Sequence, residues 1–208
     1  MNAIWYFDFI SPFAYLQWPK IRRLSQQVAF EFRPILFAGL LQHHGHKGPA
    51  EIPGKPEFTY RFVQWRADRD GVALKFPPAH PFNPLAALRL CIAAGSSADA
   101  VEAIFAHLWR EGREGDTPES LSDVAAALGT SRIEAALARP EVKAKLRANF
   151  EAALADGVFG VPSTVARGEV FWGKDATLMF EDWLDDPVAF ESDAMRALRA
   201  LPEGARRA

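Results

Sequence analysis

Apolar positions change their period twice along the chain. Ala3 to Phe9, within "NAIWYFDF", is an almost unbroken run of aromatic and aliphatic residues, the pattern of a strand buried on both faces. From Pro12 to about Gln27 the spacing becomes helical, with Phe13, Leu16, Ile21 and Leu24 on one side. Ala29-Phe30-Glu31-Phe32-Arg33 then alternates apolar and charged residues, which is strand period. A strand, a helix and a strand at this spacing predict a parallel βαβ unit that closes right-handed.

Residues 37–156 contain no comparable strand and read as helices. Phe58, Phe62, Trp65 and Arg69 mark one predicted face, Val101, Ile104, Phe105 and Leu108 a second, and Val142, Leu146, Phe150 and Leu154 a third. Asn83-Pro84 and Thr117-Pro118 place a capping side chain before proline, and Ser131 with Glu134 reads as a capping box. Strand signals return in "VPSTVARGEVFWG", where Ser163 to Ala166 and Glu169 to Trp172 flank Arg167-Gly168 as a hairpin. "KDATLMFEDWL" starts a last amphipathic helix, and the tail "LPEGARRA" is expected to fray. With no repeat and no low-complexity linker, the helical block is expected to pack on one sheet rather than hang from it.

Composition narrows the function classes. At 208 residues the chain suits one well-buried core or one domain with a large insertion. Lys+Arg 24 against Asp+Glu 26 gives a net charge of -2, which offers nucleic acid no electrostatic attraction. No apolar run approaches the roughly 20 residues that span a bilayer, and the N-terminus has neither a basic region nor a small-residue cleavage site, so a soluble cytoplasmic protein is expected. A single cysteine, Cys91, excludes an internal disulfide and a Cys-x-x-Cys pair. Its setting in "LAALRLCIAAG" predicts a buried, inert thiol.

Three short stretches carry candidate chemistry, each with a purely structural alternative. In Ser11-Pro12, proline drives Ser11 out of the α region, so Ser11 is fully explained as an N-cap. The same position delivers a hydroxyl to the positive end of a helix, where an anion such as a thiolate is favoured. Gly160-Val161-Pro162-Ser163 reads either as a proline at a strand entry or as a cis-proline that leaves the Val161 backbone open to an extended peptide. In Trp172-Gly173-Lys174-Asp175, Asp175 is a first-turn acid, or a carboxylate for a ligand ammonium beside amides for a ligand carboxylate. His43-His44-Gly45-His46 has no further ligand motif, so an ordinary loop is expected and no metal. Arg66, Asp68 and Arg69 read as a solvated face, and the stripe containing Trp65 as core.

Taken together, "FDFISPFAYL", "FGVPS" after a helical block and "FWGKD" before the last helix resemble the kappa-class glutathione transferases and, within them, the bacterial 2-hydroxychromene-2-carboxylate isomerases. The resemblance implies an α/β fold: a DsbA-like thioredoxin-like domain, residues 1–36 plus 157–200, with an all-helical insertion over 37–156. It implies glutathione as cofactor, with Ser11 as the catalytic residue that hydrogen-bonds the glutathione sulfur. Phe13, Val161, Pro162, Trp172, Gly173, Lys174 and Asp175 would complete the glutathione site. The expected partner is a small aromatic substrate carrying a carboxylate, and a homodimer is compatible with an apolar face on the helical block. The isomerases often carry Gly-Asn-Asp-Arg where this chain has Gly173-Lys174-Asp175-Ala176, and Asn-Arg where it has Glu51-Ile52. Lys47 or Arg61 is the cation left to meet the substrate carboxylate. Alternatives are a kappa-type transferase or peroxidase and a redox-inactive thioredoxin-like binding module. A disulfide oxidoreductase is disfavoured, because Ser11 and Ala14 stand where its cysteines would be.

Overall fold

The protein is described by a computed structural model that covers residues 1–202 and Gly204. Of the tail expected to fray, Glu203 and residues 205–208 lie outside the described residues. The first unit is β1 (Asn2–Phe7), α1 (Pro12–Leu24) and β2 (Ala29–Pro34). As predicted, β1 and β2 run parallel, from Asn2 opposite Ala29 to Phe7 opposite Pro34. The chain returns to the sheet only at β3 (Ser163–Ala166) and β4 (Glu169–Trp172), an antiparallel hairpin. Its turn uses Arg167 and Gly168 at φ 50 and 82, the left-handed pair that a tight two-residue hairpin requires. β3 pairs antiparallel with β1, so the sheet order is β2-β1-β3-β4.

Between β2 and β3 the described structure is helical: α2 (Phe37–His44), α3 (Lys55–Asp70), α4 (Leu85–Ala93), α5 (Ala98–Phe105), α6 (Ser122–Ala127), α7 (Ile133–Ala138) and α8 (Pro140–Ala155). A π-helical turn, Ala106–Arg110, continues α5. After β4 come α9 (Ala176–Asp185) and α10 (Asp193–Arg199), so α9 is not the last helix. None of the described helices is long and apolar enough to cross a membrane.

The two faces of β1 explain how the helical span is attached. Trp5 and Phe7 enter a core shared with Trp18 and Ile21 of α1 and with Val63, Leu88, Phe105 and Trp109 of the span. Tyr6 faces the other way, into a cluster with Leu40, Ala153, Val158 and Val165. Each large side chain so buried contributes roughly 2 kcal/mol. The span is therefore packed on both faces of the sheet, through two separate buried clusters. A buried polar chain completes the frame: Trp5 Nε1 donates to Gln17 Oε1 at 2.7 Å, and Gln17 Nε2 donates to Thr177 Oγ1 at 2.8 Å and to the Gly173 carbonyl at 3.3 Å. It ties β1 and α1 to the segment that enters α9.

Several local expectations are corrected. β1 stops at Phe7 rather than Phe9, because the Asp8 carboxylate takes the Ile10 and Phe37 amides and draws the chain out of the ladder. α1 ends at Leu24, with Ser25 to Gln27 in turn geometry. Ser131 and Glu134 form no capping box, since α7 begins after Arg132 with no side-chain cap. The stripe on α3 is not core: Phe58 and Trp65 are 68% and 51% exposed, and the helix buries Val63 and Ala67 instead.

Candidate functional site

The end of β1 and the entry to β3 meet at one end of the two central strands, with Tyr6 opposite Ser163. Asp8 leaves the end of β1 fully buried, accepting hydrogen bonds from Ile10 N at 3.1 Å and Phe37 N at 2.8 Å. Burial pushes its carboxyl up to about 7, against the pull of those backbone donors.

Three residues later Ser11 caps α1. Its backbone is extended, at φ -86 and ψ 112, and its Oγ accepts a hydrogen bond from Ala14 N at 3.2 Å. The cap uses an oxygen lone pair and leaves the hydroxyl proton available to a second partner. At 8% exposure the side chain is sheltered but not sealed. The cap and the chemical role are therefore compatible.

Across from this loop, Val161–Pro162 is a cis peptide bond leading into β3. The Pro162 carbonyl accepts from Gly173 N at 2.8 Å, which brings the β4–α9 connection alongside. Among the described residues Val161 has no backbone hydrogen-bond partner. Gly160 lets the Trp172 indole lie against the chain, since a Cβ there would meet Trp172 Nε1 at 2.5 Å.

Phe13, Val161, Pro162, Trp172, Gly173, Lys174 and Asp175 line one cleft of about 400 Å³, together with Phe62 and Arg66 of α3. Ser11 is not among the lining residues and stands two positions before Phe13. Lys47 and Arg61 are exposed and do not line the cleft. Charges alternate along its wall: Lys174 Nζ lies 2.5 Å from Asp70, Asp70 3.2 Å from Arg66 Nε, and Arg66 Nη2 3.2 Å from Asp175. Burial raises the Asp70 carboxyl, but the hydrogen bond and charge of Lys174, with Arg66 adding, outweigh it and hold the group below its ordinary value. Asp175 occupies the N-cap position of α9 without capping it, its carboxylate turned to Arg66 instead. The wall thus presents both signs of charge beside aromatic surface.

Phe62 was expected on an inward stripe and Arg66 on a solvated face, whereas α3 turns both of them to the cleft. The usable signal was the pair Val63 and Ala67, four apart and small, which marks the inward side once the large aromatics are allowed to face a cleft. Phe62 stacks on Phe58 at 6.0 Å and 11°, contacts Phe13 at 6.2 Å, and adjoins Trp65 at 5.6 Å. The aromatic surface of the cleft therefore continues onto the exposed side of α3.

His43 and His44 form the last turn of α2 rather than a loop, with Gly45 as its left-handed cap, and these histidines are exposed. Among the described residues no group of three or more His, Cys, Asp or Glu is placed to hold a metal. Cys91 is fully buried, which pushes its thiol up to about 12.

Comparison with known proteins adds the wider context. The family model for the DSBA-like thioredoxin domain matches residues 4–185. A 2-hydroxychromene-2-carboxylate isomerase of Pseudomonas putida is 28% identical over 189 residues, covering 87% of this chain and 93% of that protein. Glutathione S-transferase kappa 1 of Homo sapiens is 24% identical over 205 residues, covering 86% and 91%. Among solved structures, a 2-hydroxychromene-2-carboxylate isomerase superposes with a TM-score of 0.78 at 25% identity, covering 92% of this chain and 97% of the other.

Proposed function

The chain belongs to the DSBA-like thioredoxin domain family, and from that premise we propose that it is a glutathione-dependent isomerase of a carboxylated aromatic intermediate of the 2-hydroxychromene-2-carboxylate type. One observation carries the reading: Ser11 holds a hydroxyl proton free at the helix N-terminus, while the single cysteine is buried with a thiol too basic to act. The position suits an incoming sulfur, not one of the protein's own.

The residues present fit glutathione. Val161, whose backbone N–H and C=O have no partner among the described residues, offers both to an extended peptide. Asp175 and Lys174 offer charges of both signs, matching the ammonium and carboxylate of a γ-glutamyl end. Trp172 and Phe13 form apolar walls between these polar ends. Glutathione held by these residues would supply a thiolate nucleophile for reversible addition to the unsaturated substrate, and would be regenerated by its elimination. Ser11 lowers the cost of that charge by donating its hydroxyl hydrogen, while α1 directs the positive end of its dipole to the same place. The cleft walls hold the reactants in register, converting a bimolecular encounter into a positioned one.

The aromatic part of the proposal rests on Phe13 and Phe62, with Phe58 and Trp65 extending the same surface. Arg61 lies on the exposed side of α3, one turn from both Phe58 and Trp65, and remains the cation proposed for the substrate carboxylate. Lys47 is the second such cation. A kappa-type transferase is the alternative in the same fold, favoured by the likeness to the human kappa enzyme.

Turnover of 2-hydroxychromene-2-carboxylate measured with and without glutathione tests the reading. Isomerisation that requires glutathione is expected. Isomerisation indifferent to glutathione, or none in either case, would overturn it. Conjugation of a test electrophile without isomerisation would point to the transferase, and absence of glutathione binding to a redox-inactive binding module.

A further inference from the structure

The loop from Asp8 to Ser11 is unusually well held for an irregular segment, and the holding side chains come from far along the chain. The peptide plane joining Phe9 to Ile10 is fixed at both ends: the Phe9 carbonyl accepts from Trp109 Nε1 at 2.8 Å, and the Ile10 amide donates to the Asp8 carboxylate at 3.1 Å. The next plane, joining Ile10 to Ser11, is fixed in the same way. Its carbonyl lies 2.8 Å from His80 Nε2, and its N–H donates to the Asp8 carbonyl at 3.1 Å. Because a peptide is planar, holding its carbonyl also holds the N–H of the following residue and limits φ there. For Ser11 that angle sets where the side chain points.

Geometry decides the tautomer of His80. A carbonyl only accepts, so Nε2 must carry the proton, and Nδ1 is left to face the Tyr60 hydroxyl at 3.0 Å. The Tyr60 hydroxyl is also 2.9 Å from the carbonyl of His80 itself. The ring stands in an aromatic enclosure made by Tyr60, Phe76, Phe82 and Trp109, at centroid separations of 5.3, 6.5, 6.2 and 5.5 Å. Burial lowers the affinity of this imidazole for a second proton, only partly offset by the Ile10 carbonyl. None of these groups lines the cleft.

We propose that His80 is a positioning residue for Ser11: its Nε2–H fixes the Ile10–Ser11 peptide plane and so aims the Ser11 hydroxyl at the sulfur site. The inference about turnover rests on the glutathione reading above, while the inference about the loop does not. His80 fixes direction, and the ends of the ligand are held elsewhere, by Val161 and the charged wall. Its loss should therefore act on kcat more than on binding.

Two variants test this. His80→Phe keeps a ring in the enclosure and removes the donor, and His80→Gln returns an N–H at a similar reach. In His80→Phe, amide hydrogen exchange at Ser11 and Ala14 should quicken about tenfold, and kcat of the glutathione-dependent reaction should fall about tenfold with less than about a twofold change in KM for glutathione, the scale of one lost hydrogen bond. His80→Gln should recover both to within about threefold of the parent. Melting temperatures of both variants separate these changes from general loosening. A Phe variant with parental exchange and kcat, or a Gln variant as impaired as the Phe variant at equal folded fraction, would overturn the inference. Should the parent not use glutathione at all, the functional reading fails on its own, and the exchange measurement still decides whether His80 holds the loop.

Discussion

Ser11→Ala is expected to lower glutathione-dependent turnover by roughly a hundredfold or more, the usual consequence of removing one preorganised donor aimed at developing charge. The variant also loses the cap on Ala14 N, worth about 1 kcal/mol of stability. A fall in activity alone would thus mix two effects. Ser11→Asp separates them, since aspartate caps a helix about as well as serine but sets a negative charge against the sulfur. It should keep the parental melting temperature to within the cap's worth and still lose turnover as fully as Ser11→Ala. Parallel assays of melting and turnover check this. An active Ser11→Asp would mean that Ser11 is a cap and nothing more.

The second large effect is on stability. Asp8 has an ordinary value of 3.8 and is pushed up to about 7 by burial, so the folded protein holds a proton that the unfolded chain has already released. Folding therefore takes up a proton between these values, and stability falls as pH rises through that window. From about pH 5 to about pH 8 this one group should remove roughly 3 kcal/mol. The measurement is denaturant unfolding of the parent and of Asp8→Asn at both pH values. The parent should be the more stable of the two near pH 5, and its margin should shrink or reverse near pH 8. A margin independent of pH would show that Asp8 is ionised in the fold.

The strands were the most readable part of the sequence. The run from Ala3 and the alternation at Ala29 to Arg33 have the period of β-structure, and Arg167-Gly168 is chemically suited to its left-handed turn. Those signals are local, and so were the hairpin bounds at Ser163–Ala166 and Glu169–Trp172. The orientation of α3 was not local. Periodicity finds a stripe but not what it faces, and Phe58, Phe62 and Trp65 outweigh Val63 and Ala67 in any count of apolar surface. Phe62 points outward to line the cleft, and Phe58 and Trp65 pack against it on the exposed side.

The candidate site divides along the same line. Phe13, Val161, Pro162, Trp172, Gly173, Lys174 and Asp175 come together in the cleft because each sits just before a strand, at a strand's end or at the start of a helix, where motif and geometry coincide. Gln17 and His80 escaped notice because their partners are distant, Thr177 for Gln17 and Ile10 for His80, and Arg66 read as a solvated residue because its partner Asp175 is just as far along the chain. Lys47 and Arg61 were chosen by charge alone, and the fold leaves both on exposed surface.

The central claim is that Ser11 meets a sulfur that the protein does not itself carry. A crystal structure of the protein with glutathione tests it most directly. The account predicts the glutathione sulfur within about 3.5 Å of Ser11 Oγ, the outer reach of such a hydrogen bond, with the cysteinyl backbone paired to Val161 and the γ-glutamyl end beside Asp175. Glutathione bound with its sulfur turned away from Ser11, or absent from the cleft at saturating concentration, would contradict it.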